Sequence, residues 1–341
     1  MLKDVILVTG GAGYIGAVLV RELLAKGEKV RVFDKLYFGS ASLESVKAQI
    51  DLIQGDVRHF PASALDNVKA VIHLGSLSND PTAEFDPKAN KEINFEGTMR
   101  VAEACKKKGV PRFTFASSAA IIGFHVDTIA DENYTPNPQS EYAQSKLDAE
   151  NGLLSLVSDK FSPVIFRQAT VFGFSPRMRW DLVVNTMTKD AFSKGNIFVY
   201  CAGDNWRPLV HVKDIALAHI EAIMAPKDKV KGEIFNLVHK NYRILELGHW
   251  VREILKEKAP VNVEVLFGSK EARSYRISGE KLKQNLGFEA KHSVEEAVIE
   301  IYNILHSGKF VDFQNPIYYN IEWMKLLVDM EQKLKVIGKV F

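Results

Sequence analysis

Close to the start of the chain a short apolar run, residues 4–9 (DVILVT), leads directly into Gly10-Gly11-Ala12-Gly13-Tyr14-Ile15-Gly16. A stretch with helical periodicity follows, to residue 26. No other feature restricts the fold as much. A buried strand, a glycine turn and a helix N-terminus in direct succession open a parallel βαβ unit. The glycines give a sharp turn, close backbone approach to a pyrophosphate and tight helix–strand packing, and the helix start offers free N–H groups to the anion.

The alternation continues. Apolar runs at residues 29–34, 50–55, 69–74, 112–116 and 162–167 read as strands, and residues 91–107 and 141–158 read as helices. β-Branched runs between helical stretches predict an α/β fold, a doubly wound parallel sheet covered on both faces. After about Gly173 the pattern loosens. Short strands at 197–200, 234–237 and 261–266 alternate with helices around 181–193, 212–224, 244–257 and 294–305, which predicts a smaller C-terminal lobe packed on the first domain. We divide the chain into 1–173, a dinucleotide-binding domain to which some later segments return, 174–310, mainly a substrate-binding lobe, and 311–341, a helical extension. Trp323, Leu326, Leu327, Met330 and Leu334 put an apolar stripe on that extension, read as a helix docked on the body.

Composition narrows the classes. Of 341 residues 46% are hydrophobic and 25% charged, which excludes disordered and collagen-like chains. A net charge of only +2 gives no electrostatic reason to expect nucleic acid or a membrane surface as partner. Cys105 and Cys201 are too few for a disulfide framework, so a reducing, cytoplasmic setting is expected. No apolar run approaches the ~20 residues of a spanning helix, and no cluster has metal-ligand spacing.

Asp34 closes the second strand about 20 residues beyond the glycine turn, where an acidic residue accepts hydrogen bonds from the adenosine ribose hydroxyls. A carboxylate there repels a 2′-phosphate, so NAD is favoured over NADP, although Lys35 follows it. Asp56, after the third strand, is placed to meet the adenine edge or to cap a surface turn. Tyr142 and Lys146 stand four apart on one helix face. A neighbouring ammonium and the cationic nicotinamide ring are expected to bring the phenol into working range as a base. Ser117 and Ser118 end the fifth strand, where a hydroxyl can hold a substrate oxygen.

With these motifs placed, the sequence resembles an extended short-chain dehydrogenase/reductase of the NAD-dependent nucleotide-sugar epimerase/dehydratase family. The resemblance rests on TGGAGYIG, GDV at 55–57, HLGS at 73–76, INFEGT around Asn94, SSAAIIG at 117–123, YAQSK at 142–146, FRQATVFG at 166–173, WRPLVHVKD at 206–214 and NLGF at 285–288. It implies a Rossmann-type sheet, NAD as cofactor and a nucleotide-sugar substrate. It also implies a homodimer through the helices around 91–107 and 141–158. By resemblance Ser118, Tyr142 and Lys146 are catalytic. Val57, Leu74, Gly75, Ser76 and Asn94 join Gly10, Gly13, Tyr14, Ile15, Gly16, Asp34 and Asp56 around the cofactor. Thr170, Asn185, Arg207 and Arg273 match positions near the substrate.

The departures bear on the reaction. The family's 4,6-dehydratases carry an Asp-Glu pair after the catalytic hydroxyl, its sugar-acid decarboxylases a glutamate there, and its 3,5-epimerase/reductases a cysteine. This chain has Ala119-Ala120. A 4-epimerase cycle is the expectation, with reduction, dehydration, rearrangement or non-catalytic nucleotide binding as alternatives. Ile122 stands where relatives carry Tyr. The tail after 310 exceeds the family pattern. Arg177 and Arg179 suit a diphosphate, Arg179 being the one we place at the substrate, and Trp180 is read either as stacking on a base or sugar or as anchoring a loop. His73, His211 and Cys201 are read as structural.

Overall fold

The computed structural model describes residues 3–124, 128–268 and 273–338. The two chain ends assigned above, 1–2 and 339–341, lie outside it. The first strand, β1 (Val5–Thr9), gives way to α1 (Tyr14–Ala25) and β2 (Lys29–Asp34), then β3 (Ile50–Gln54) and β4 (Val68–His73). Two short helices, α2 (Asp80–Phe85) and α3 (Pro87–Asn90), lead into a π-helical turn, Lys91–Gly97, and α4 (Thr98–Lys108). β5 (Arg112–Ser118), α5 (Glu141–Ser155) and β6 (Ser162–Gln168) follow. The second half contains β7 (Thr170–Phe172), α6 (Val183–Lys194), β8 (Asn196–Val199), β9 (Trp206–His211) and α7 (Val212–Met224). It continues through β10 (Ile234–Leu237), β11 (Lys240–Arg243), α8 (Ile244–Leu255), β12 (Asn262–Val265), α9 (Glu280–Leu286), α10 (Val294–His306) and α11 (Asn320–Ile337).

Among the described residues seven strands form one sheet in the order β10-β6-β5-β4-β1-β2-β3, each pairing parallel. The chain winds outward from β1 to β3, then returns to lay β4 on the other side of β1. That reversal opens a crevice at the carboxyl ends of β1 and β4, the usual ligand site of such sheets. Both faces are covered. Phe113, Phe115 and Val101 belong to the core on the α4–α5 side, while Leu19, Val20, Ala216 and Ile220 join α1 and α7 over the other face.

Two elements read from the sequence among the later segments therefore serve the main sheet. Ile234–Leu237 is its edge strand, paired with β6, and α7 packs against α1. The remaining strands make a three-stranded sheet, β11-β9-β7, and a parallel pair, β12-β8. Their core gathers Val184, Leu209, Leu247, Val251 and Val298 from β9 and three surrounding helices. The helix expected around 181–193 starts at Val183, after Leu182 in extended conformation, and Asp181 ahead of it is ion-paired with Arg179. The helix expected over 91–107 is not uniformly α: its first seven residues are π-helical, a local widening that often marks a functional site.

Candidate active site

A cleft of about 660 Å³ runs along the carboxyl ends of β1 and β4 and under the second half of the chain. Gly10, Gly13, Tyr14, Ile15 and Gly16 line one end. Gly10 has φ +72°, and a Cβ on it would sit 2.8 Å from the Gly75 nitrogen; one on Gly16 would sit 2.2 Å from the Gly10 carbonyl oxygen. Side chains are excluded here, so the backbone itself forms the cradle. Val57, Leu74, Gly75 and Ser76 continue the wall.

The Asp34 carboxylate lines the cleft while accepting the Ala12 N–H at 2.9 Å and the Leu36 N–H at 2.7 Å. Burial pushes its acid strength down, raising the pKa against those two backbone bonds and the nearby Arg177 charge. Lys35 does not counter it, because its ammonium lies 3.5 Å from Asp56. Asp56 lines the cleft and also caps a turn by accepting from the Arg58 N–H. Its pKa falls to about 2: hydrogen bonds from the Arg58 side chain and backbone and the charges of Arg58 and Lys35 outweigh burial, the largest single influence. Asp56 is thus a cleft residue and a cap at once.

At the other end stand Ser118, Tyr142 and Lys146, all lining the cleft. Ser118 closes β5, and its hydroxyl accepts the Ala120 N–H at 3.2 Å. α5 is started by Ser140, which accepts the Ala143 N–H as N-cap. The two residues four apart then face the same way: the Lys146 ammonium lies 5.7 Å from the Tyr142 ring centre and donates to the Ala116 carbonyl at 2.8 Å. Burial pushes Tyr142 up to about 12, with the Asp80 charge adding to it, while the Ser118 hydroxyl and the Arg179 charge pull it down. Burial pushes Lys146 down to about 7, against the charge of Glu150. Desolvation is the largest influence on both side chains.

Asn94 and Asn185 are not on the cleft wall. Asn94 is fully buried; its amide accepts the Leu77 N–H at 2.8 Å and donates to the Leu77 carbonyl and to Asn90. It thereby ties the loop after β4 to the π turn beside α5. Asn185 accepts the Gly173 N–H and donates to the Arg179 carbonyl and to the Tyr14 hydroxyl. Tyr14 in turn donates to the Gly173 carbonyl. These two residues join the glycine turn to the segment after β7. Thr170, Arg179, Arg207 and Arg273 do line the cleft. Arg179 is paired with Asp181, and Arg273 donates to Asp80. Trp180 does not stack in the cleft: it is 1% exposed and sits in an aromatic cluster with Phe310 and Phe313.

His73 is buried between Thr9 and Thr98. Thr98 donates its single hydroxyl hydrogen to the Asn94 carbonyl, so His73 Nε2–H donates to Thr98 and Nδ1 accepts from Thr9. Cys105 lies in the core with its thiol pushed up by burial. Among the described residues no three metal-ligating side chains converge, and no helix is long and apolar enough to cross a membrane.

Ser78, Asp80, Phe38 and Asn320 are among the cleft residues that escaped the sequence reading. Asn79-Asp80-Pro81 carries a helix-start signature, with Asn79 accepting from Thr82 and proline in the first turn. That signal gives a helix but not its position beside Tyr142. The glycine cradle excludes side chains, and buried Arg177 lines the cleft with Nε lacking a partner among the described residues; both features fit a dinucleotide.

The sequence profile of the NAD dependent epimerase/dehydratase family matches residues 6–237. A UDP-glucose 4-epimerase of Bacillus subtilis is 27% identical over 320 residues, spanning 85% of this chain and 94% of that protein. Among solved structures, MoeE5 in complex with UDP-glucose and NAD is 26% identical with a TM-score of 0.76, covering 89% of this chain and 99% of its own. A Thermus thermophilus UDP-glucose 4-epimerase complex with NAD is 26% identical with a TM-score of 0.73, covering 87% and 98%. A profile match over most of the chain, ending in the strand that completes the main sheet, is what the glycine cradle and the Ser118–Tyr142–Lys146 cluster lead to: this chain is an NAD-dependent enzyme and belongs to the NAD-dependent epimerase/dehydratase family.

Proposed function

We propose that the protein is a nucleotide-sugar 4-epimerase working through a transient 4-keto sugar. The observation that carries this reading is the cluster of Ser118, Tyr142 and Lys146 at one end of the cleft, followed by Ala119-Ala120. The alanines supply neither acid nor base for elimination. NAD, when bound, would supply the hydride acceptor for oxidation at carbon 4 and the donor for the return of that hydride to the same carbon. Tyr142 as phenolate takes the proton of the 4-hydroxyl, and Ser118 holds that oxygen. Lys146 holds the cofactor's ribose and keeps positive charge beside the phenol. Gly10 to Gly16 cradle the pyrophosphate and Asp34 holds the adenosine ribose. Thr170, Arg179, Arg207 and Arg273 face the nucleotide part of the substrate, with Asn185 fixing the Arg179 segment from behind.

The purified protein, incubated with UDP-, GDP-, CDP- and dTDP-sugars without added NADH or NADPH, is expected to invert one of them at carbon 4. In heavy water the product is expected to carry no deuterium at carbon 5. Deuterium there means enolisation and moves the reading to a dehydratase-like or ring-rearranging reaction; strict dependence on NADPH moves it to a ketoreductase.

We further infer a homodimer through α4 and α5. Half-buried Phe95, Met99 and Leu154 on these helices and the turn before them support it. Light scattering at micromolar concentration is expected to give twice the chain mass, and a monomer there removes the claim.

A further inference from the structure

The chain beyond α10 does not simply trail along the surface. Trp180 holds it down, its ring centre 5.3 Å from Phe310 and 6.2 Å from Tyr318. From that anchor the chain enters α11 at the cleft, where Asn320 and Ile321 form part of the wall.

Asn320 is 5% exposed and makes three hydrogen bonds to residues that border the cleft. Its side-chain oxygen accepts from Arg177 at 2.6 Å, its amide donates to the Ser78 hydroxyl at 2.8 Å, and its backbone N–H donates to Asp181 at 3.2 Å. Ser78 lies on the loop after β4, whereas Arg177 and Asp181 lie after β7. One residue of the extension thus ties the two banks together. One turn later, the Trp323 indole N–H donates to the Tyr37 carbonyl at 2.6 Å, just beyond Asp34.

Between these ties sits Arg177. Its guanidinium lies 3.6 Å from the Phe38 ring centre. It is 7% exposed, and its Nε has no hydrogen-bond partner among the described residues. A buried guanidinium with a free donor is costly unless an acceptor meets it. It lines the same cleft as Asp34 and the glycine turn, which puts its positive charge beside the room that a dinucleotide would fill.

We propose that residues 311–337 are a strap across the adenosine half of the dinucleotide cleft. Asn320 and Trp323 act as positioning residues that hold Arg177 and the Tyr37–Phe38 turn against bound NAD, and NAD exchange waits on the strap lifting. This suits a catalyst that recycles one cofactor molecule, but it does not depend on which sugar is turned over.

The test reads cofactor release alone. Full-length protein loaded with fluorescent etheno-NAD is chased with excess NAD, for the unmodified chain, Asn320→Ala and Trp323→Phe. Loss of a buried, charge-assisted hydrogen bond at Asn320 is expected to speed release at least about tenfold. Loss of the single indole donor in Trp323→Phe is expected to speed it less. Unchanged release in both variants, with native circular dichroism, overturns the proposal. A second measurement needs no variant: by linkage NAD must hold the strap as the strap holds NAD. Amide exchange across α11 is expected to slow on adding NAD, and exchange that NAD leaves unaltered also overturns the proposal.

Discussion

Tyr142 and Lys146 are both driven by burial toward their neutral forms, one up to about 12 and the other down to about 7. Such a pair gains most from a nearby charge, which is why single substitutions here are informative. Tyr142→Phe is expected to lower turnover by roughly 10²–10⁴ while NAD remains bound, because the phenol acts in proton transfer and the cradle is untouched. Steady-state rates beside cofactor content decide it, and a variant keeping a tenth of the activity contradicts the role. Asp80 is the second test. Its carboxylate raises the Tyr142 pKa and is paired with Arg273. Asp80→Asn removes an anion beside the phenol, which favours the phenolate. The ionisation on the acid side of the kcat/KM profile is therefore expected to move to lower pH; an unmoved profile denies the coupling.

At the scale of the element, the strand–glycine–helix order at residues 5–25 and the Tyr142–Lys146 spacing were legible because each is a local property. Periodicity and a four-residue step need no knowledge of the rest of the chain. What local pattern could not show was partnership. Ile234–Leu237 is an ordinary short apolar run until it pairs with β6. Trp180 is a plausible stacking ring until the aromatics around Phe310 enclose it. The π turn at Lys91–Gly97 escaped for a further reason. Its residues suit an α-helix, and the bonds of Asn94 to Leu77 are tertiary. Asn94→Ala leaves the Leu77 N–H and carbonyl unpaired in a buried place, which costs about 1–3 kcal/mol for each group left unsatisfied. The expected outcome is a lower urea midpoint together with slower turnover, because the loop after β4 and α5 lose a shared anchor. An unchanged midpoint excludes that anchor.

For the whole molecule, the sheet buries two histidines without charge. His73 and His219 are both pushed down to about 3, His73 by burial and the Lys146 charge, His219 by burial alone. His219 is held between Thr114 on β5 and Gln168 on β6, so its cost is tied to the central strands. In the unfolded chain each regains a pKa near 6.5. Between about pH 6.5 and 3 the unfolded state therefore binds more protons than the folded one, and stability falls as the pH falls. The slope is about 1.4 kcal/mol per pH unit for each such histidine. Asp34, Glu132 and Glu300 have raised pKa values and act with the opposite sign over the carboxylate range, so the net curve mixes the two. Comparing His219→Gln with the unmodified chain separates them, since the carboxylates are common to both. Urea midpoints at pH 7 and pH 5 are expected to differ less in the variant, by an amount equivalent to roughly one proton's uptake. If the two proteins lose stability in parallel over that interval, His219 is not the neutral buried group that its place between Thr114 and Gln168 requires.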